Sequence, residues 1–331
     1  MNSSFREVIR SAPLFAVAVA LAWSGLTWGQ GDYPTRPVRI VVPYPAGGTT
    51  DVATRIYAKG LGDLWGQQFI IENRPGGGTN IGAELVARSA PDGYTLFVVQ
   101  AASHGVNPSL FGKLSYDAVK DFSAAGFMAR TAMFLVINAS LPVSSAQGLV
   151  NYARANPGKL NFASQGNGSP GHLAGALLKQ RTGANIVHVP YKGAAQAIGD
   201  LMGGQVQFAF LSLDGMVSNL VKDVKLKVLA VAASQRWPTE PQVPSMSESG
   251  IPDFEVLSFF GLSAPAKTPE PILEKLNRAM VEISKREETK KRLADMGLVP
   301  IPQTREEMTT FIINEIEKWR PIVKAAGAKI D

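Results

Sequence analysis

Short runs of β-branched and aromatic residues alternate with stretches of helical spacing along this chain, and that alternation limits the fold more than any other feature. Residues 38–42 are followed by a helical pattern over 51–64, then 69–72, a second helical stretch near 81–89, and 94–99. Strands separated by helix-length segments specify parallel βαβ units. The rhythm restarts after Arg130, with 134–138, a helix near 145–155, 160–164, a helix over 170–180, 186–189 and 208–211. Two consecutive α/β units predict a cleft between two domains. After Phe254 comes one more strand-like run and then two helices, expected to pack back onto the first domain and make it discontinuous. Thr268 before Pro269 marks a helix start, and Thr304 with Glu307 three residues on is a capping box. Met308, Ile312, Ile316 and Trp319 recur at core spacing in the last helix. The expected boundaries are a leader over 1–29, a first domain of 30–132 and 256–331, and a second of 133–255. With the leader removed, some 300 residues remain, above the roughly 250 to 300 at which a single core stops growing.

At the N-terminus Arg6 and Arg10 precede an apolar run over 14–23, followed by the small residues Gly25, Thr27 and Gly29. This is the order of a secretory signal, cut after Gly29 or, as a near equivalent, after Gly31. A membrane-crossing helix needs about 20 apolar residues, so a retained anchor is the weaker alternative. No second stretch approaches that length, and the mature chain is expected to be soluble and periplasmic. The chain contains no cysteine, which excludes a lipidated Cys, disulfides, thiolate metal ligands and thiol catalysis. Loss of the leader removes two arginines and one glutamate, so the formal charge of +6 becomes +5. Between Phe122 and Gly199 there is no Asp or Glu, while Arg130, Arg154, Lys159, Lys179, Arg181 and Lys192 are all basic. Such a region attracts anions, or is simply a solvated basic surface. These residues are scattered singly without aromatic interleaving, so nucleic acid is not an expected partner.

Three glycine-rich junctions carry what chemistry there is. The first, Pro43-Tyr44-Pro45-Ala46-Gly47-Gly48-Thr49-Thr50-Asp51, ends a strand and opens a helix, where free backbone N–H groups and the helix dipole can hold an anion. Thr50 or Asp51 is the candidate N-cap, and a plain strand-to-helix turn is the alternative. The second, Gly166-Asn167-Gly168-Ser169-Pro170-Gly171, spells G-x-G-x-x-G but lacks the acid about 20 residues on that would hold a ribose. It therefore points to a small carboxylate or phosphate. The third is Arg74-Pro75-Gly76-Gly77-Gly78-Thr79-Asn80. No cofactor and no metal site is expected, because His104, His172 and His188 show no ligand spacing.

An enzyme reading rests on Ala101-Ala102-Ser103-His104-Gly105, which follows a strand like a relaxed nucleophile elbow. Asn107 and Pro108 are expected to block the helix such an elbow needs, and no His-Gly-Gly loop occurs upstream. His188 alternates with valines as a structural histidine does. His172, in the first turn after the second glycine loop, either caps that helix or touches a ligand.

These motifs resemble the substrate-binding receptors of tripartite tricarboxylate transporters, also called Bug-type receptors. The specific pieces are Val42-Pro43-Tyr44-Pro45-Ala46-Gly47-Gly48, Glu72-Asn73-Arg74-Pro75-Gly76, Ala90-Pro91-Asp92-Gly93-Tyr94-Thr95-Leu96, Asn107-Pro108-Ser109-Leu110, Asp121-Phe122, Gly168-Ser169-Pro170-Gly171-His172-Leu173 and Val189-Pro190-Tyr191-Lys192-Gly193. The resemblance runs from Arg36 to Gly327. It implies an α/β fold with two Rossmann-like domains of Venus flytrap type, closing on a small organic carboxylate held largely by backbone amides and water. It also implies membrane transporter subunits as partners and no catalysis; a monomer is expected. The candidate ligand-binding residues are Tyr44, Ala46, Gly47, Gly48, Thr49, Asp51 and Asn80 on the first side. On the second they are Ser164, Gly166, Asn167, Gly168, Ser169, His172, Tyr191 and Ser212, with Ser103, His104 and Phe259 completing the set. Two positions depart from the family pattern, Phe210-Leu211-Ser212 and Phe259-Phe260-Gly261. Leu211, Phe259 and Phe260 suggest an apolar wall suited to an aromatic mono- or dicarboxylate such as a phthalate isomer. A sensor feeding a signalling partner is the other alternative to transport.

Overall fold

In the computed structural model, which describes residues 33–213 and 215–328, the strands form two sheets. The expected leader, residues 1–29, lies outside the described residues. The elements named below all belong to the unit formed by residues 36–331.

The first sheet contains β1 (Val38–Val42), β2 (Phe69–Asn73), β3 (Thr95–Gln100), β4 (Phe122–Ala132), β10 (Leu257–Pro265) and β11 (Val299–Pro300), in the order β11-β4-β10-β3-β1-β2. β1 pairs in parallel with β2 and β3, through crossover helices α1 (Thr49–Trp65) and α2 (Asn80–Ala87). Val38, Ile40, Val41 and Val42, like Leu96 to Val99, are buried on both faces, as helices on both sides of a parallel sheet require. β10 runs antiparallel to β3 and β4.

The second sheet contains β5 (Phe134–Asn138), β6 (Leu160–Ser164), β7 (Ile186–Pro190), β8 (Phe208–Leu211) and β9 (Leu226–Val231), in the order β7-β6-β8-β5-β9. A short helix α3 (Asn107–Leu110) follows β3, and α4 (Ala146–Ala155), α5 (Pro170–Thr182), α6 (Ala194–Met202) and α7 (Gly215–Lys222) surround the second sheet. Where the chain passes between sheets, the two crossing segments are bonded together: Met133 N–H donates to Val256 O, Val256 N–H to Ala232 O, and Ala232 N–H to Met133 O.

β4 has no strand signature in sequence, being rich in Ala, Ser and Gly. It pairs along its length with β10, and tertiary pairing overrides its weak propensity. Gly126 within it lets a helix approach, since a Cβ there would stand 3.1 Å from Met280 Sδ. Three helices rather than two follow Phe254: α8 (Glu270–Lys285), α9 (Glu287–Ala294) and α10 (Arg305–Ala325). The first two are split at Arg286, whose backbone is extended. Pro269, not Thr268, is the N-cap of α8, and the Thr268 hydroxyl donates instead to Pro265 O. The Thr304–Glu307 capping box forms as expected. Met308 and Ile312 on α10 join the core under the first sheet, while Trp319, Ile322 and Val323 join the core of the second. Among the described residues, no helix is long and apolar enough to cross a membrane.

Candidate functional site

In α/β sheets, ligands gather at the carboxyl ends of parallel strands, and the glycine junctions stand there. After β1, residues Ala46, Gly47, Gly48 and Thr49 are exposed and Tyr44 is half-buried. The N-cap of α1 is Gly48, with no side chain capping it. The first N–H groups of this helix therefore have no intrahelical acceptor. Neither Thr50 nor Asp51 caps the helix, which corrects the sequence expectation. Asp51 is buried and reaches back instead: Oδ2 accepts from Gly47 N–H (3.0 Å) and Arg55 Nε (2.9 Å), and Oδ1 from Asn73 Nδ2 (3.0 Å) and Arg55 Nη2 (3.1 Å). Burial alone would raise this carboxyl, but the bonds from Arg55, Gly47 and Asn73 outweigh it and hold it below the usual range. Asp51 is thus a brace for the loop, with its charge matched by Arg55. Asn73 also donates to Tyr44 O (2.9 Å), tying the end of β2 to the same loop.

The loops after β2 and β3 are joined through Asn107, whose Nδ2 donates to Gly78 O (2.7 Å) and Asn80 Oδ1 (2.8 Å). Tyr116 Oη donates to Ser103 O (2.8 Å), with Asn80 Oδ1 a more distant alternative acceptor at 3.1 Å. Contrary to the expectation that Asn107 and Pro108 break the chain here, residues Ala102–Val106 form one π-turn that runs directly into α3. Pro108 sits in the first turn of α3, continuous with the π-turn before it.

Ser103 and His104 are both fully buried. Their side chains meet, Nδ1 to Oγ 2.9 Å, but the imidazole packs among Phe97, Tyr116 and Phe122. Burial drives its pKa down to about 3. Both are walled in by the core with no exposed surface to offer a ligand, which counts against their place among the candidates.

After β6, the loop 165–169 is braced largely by its own groups. Gly166 N–H donates to Ser164 Oγ (3.2 Å), Gly168 N–H to His172 Nδ1 (3.1 Å), Ser169 N–H to Gly166 O (3.2 Å) and His172 N–H to Ser169 Oγ (3.4 Å). Most of the amides expected to cradle an anion are therefore engaged within the loop. Asn167 is exposed at its tip, and its N–H makes no hydrogen bond among the described residues. Gly166 and Gly168 adopt φ of 118° and 76°, open to glycine but strained for other residues. Ser169 is the N-cap of α5 and Pro170 its first residue. Tyr191 N–H donates to Ser164 O, and its hydroxyl to Asp200 (2.7 Å).

The two sides meet where Gly168 abuts Leu110. Ser212 is half-buried after β8. Phe259 does not join the site: it is fully buried, edge-on to Phe127 (6.1 Å) and Phe311 (5.0 Å). Consecutive strand residues point to opposite faces, so Phe259 and Phe260 cannot form one wall, and Leu211 lies in the core of the second sheet. Asn73, Asn107 and Leu110 were missed as site-shaping residues, although each stands in a motif quoted above. Concavities of about 710 Å³, beside Arg181, Phe254 and Lys318, and about 460 Å³, beside Phe111, Ile313 and Arg320, lie elsewhere. Of the six basic residues between 122 and 199, five are exposed and only Arg130 is partly covered, against Trp237, so this stretch is a solvated surface. No group of three or more His, Cys, Asp or Glu among the described residues is placed to hold a metal.

Residues 53–328 match the family described as Tripartite tricarboxylate transporter family receptor. The chain is 33% identical to Protein BugT of Bordetella pertussis over 98% of its own length and 99% of that protein's. Among solved structures, Rpa4515 of R. palustris with adipate is 35% identical, with TM-score 0.78, covering 89% of this chain and 99% of its own. MatC from Rhodopseudomonas palustris with bound malate is 32% identical, with TM-score 0.73, covering 88% and 100%.

Proposed function

Because the chain belongs to the tripartite tricarboxylate transporter receptor family, we propose that it captures a small aliphatic dicarboxylate and presents it to the membrane subunits of such a transporter. The observation that carries this reading is the N-terminus of α1 at Gly48, which no side chain caps and which is exposed together with Gly47 and Thr49. An anion there completes the first turn of the helix and meets its positive dipole end. The partial use of the 165–169 amides supports a lighter second grip, through Asn167 and water. We read the two sheets as two lobes, 30–132 with 256–331 and 133–255, that close on the ligand as a monomer. Export to the periplasm with removal of residues 1–29 belongs to the same proposal.

Adipate and malate, seen in the two similar structures, are the first compounds to try. The aromatic wall is not assembled, so benzoate and phthalates have no special support. The buried Ser103 supports binding without turnover. A thermal-shift panel tests the reading: ligand at about 100 times its dissociation constant adds about 2.7 kcal/mol, a clear upward shift. No shift with any aliphatic dicarboxylate, or ester hydrolysis abolished by Ser103→Ala, would reject it.

A further inference from the structure

The His172 and His188 imidazoles are stacked, with centroids 4.0 Å apart and 12° between planes. His188 stacks in turn on Phe162 (4.9 Å), its register partner across β6 and β7. Gly175 makes room for this column, since a Cβ there would stand 2.1 Å from the Phe162 ring. Both histidines grip the loop between β6 and α5. His172 Nδ1 accepts the Gly168 N–H at 3.1 Å, and His188 Nε2 lies 2.7 Å from Ser164 Oγ. The same Oγ donates to Gly166 O (3.1 Å) and accepts the Gly166 N–H.

An Nδ1 that accepts a hydrogen bond carries no proton. Protonating it sets two donors face to face and breaks the bond to Gly168. Stacked rings this close also repel when both are charged. Burial lowers the pKa of both, taking His188 to about 4 with further help from His172. Charged groups on the surrounding elements are Lys179 and Arg181 at the far end of α5, exposed Lys192, and Asp200, which bonds Tyr191. On α10, which packs against α5, Glu315 and Lys318 pair with one another.

We propose that His172 and His188 are positioning residues for the Gly166–Gly168 backbone, His188 through Ser164 and His172 directly, and that the loop keeps its ligand-receiving form only while His172 is neutral, so that proton uptake by His172 frees the loop and weakens the grip on a dicarboxylate. The consequence for ligand rests on the receptor reading above; the coupling of loop to imidazole does not.

Amide and histidine ring signals of the ligand-free protein, followed by NMR from about pH 7.5 to about pH 4, test that coupling. The Gly168 amide should move with the His172 ring at a shared midpoint below the ordinary histidine value, while Gly158, in open space, does not follow. His172→Asn, whose Oδ1 still accepts, should hold the Gly168 signal still. In calorimetry with adipate near neutral pH, His172→Leu should bind about tenfold more weakly, a difference of about 1.4 kcal/mol, and His172→Asn should recover most of that loss. A Gly168 signal indifferent to His172, wild-type affinity in His172→Leu, or tighter adipate binding on acidification would overturn the proposal. Failure of wild-type protein to bind adipate or malate would instead strike the receptor reading, and the NMR coupling would still decide this one.

Discussion

A Cβ on Gly168 would stand 2.5 Å from Leu110 Cδ2, so any other residue in the loop after β6 has to push the Leu110 side chain of the helix after β3 aside. The contact explains why a substitution at Gly168 reports on more than ligand access. Gly168→Ala meets both Leu110 and a φ of 76°. Backbone strain of this kind costs about 1 to 3 kcal/mol. Leu110→Ala, which removes a buried side chain, costs about 2 to 5 kcal/mol. The double variant should be more stable than the sum of the single losses implies, by about 0.5 to 3 kcal/mol. Urea denaturation of the four proteins measures it, and strict additivity would mean that loop and helix do not press on one another.

Asp51 gives a second test, because its carboxylate is buried while Arg55 is half-exposed. Arg55→Met keeps the aliphatic stem but leaves the carboxylate without its cation, at a cost of about 1 kcal/mol for a partly exposed pair. The Asp51 pKa is depressed in the folded state, so its contribution is present above the unfolded value and lost as pH falls through the folded one. The gap between Arg55→Met and wild type should therefore close below about pH 4. A gap that persists in strong acid would assign the loss to packing.

His104 follows linkage of the same sign from a different cause, burial rather than a charged partner. Its folded pKa of about 3 lies below the unfolded value of about 6.5, so the unfolded chain takes up the proton first. Stability should be complete above about pH 6.5 and fall on acidification by up to about 1.4 kcal/mol per pH unit. His188 adds a similar loss down to about 4. Depressed carboxyls act mostly below about pH 5, so urea midpoints between about pH 6.5 and 5 isolate the histidines. His104→Phe should flatten part of that slope; an unchanged slope would show that His104 contributes nothing to it.

The parallel cores of both sheets were legible because β1, β3, β6 and β8 are short apolar runs with helix-length gaps. β4 was not, since Ala124, Ala125, Gly126 and Ala129 carry no strand preference and are ordered by β10 alongside. The glycine junctions were legible from Gly47, Gly166 and Gly168, whose positive φ few other residues tolerate. Which amides remain free was not, because that depends on acceptors brought from elsewhere, such as Asp51 for Gly47 and His172 for Gly168. Phe259 was misplaced by treating two adjacent strand residues as one surface; its ring belongs with Phe127 and Phe311.

The central claim is that the site recognises a carboxylate through the backbone at Gly48 and its neighbours. Calorimetric titration of the protein with adipate, malate and the neutral diamide of adipate tests it most directly, since adipate and its diamide share size and carbon chain but differ in charge. The account predicts one-to-one binding of at least one of the two acids and at least tenfold weaker binding of the diamide, about 1.4 kcal/mol or more. Equal affinity for adipate and its diamide, or no heat from either acid at millimolar concentration, would contradict it.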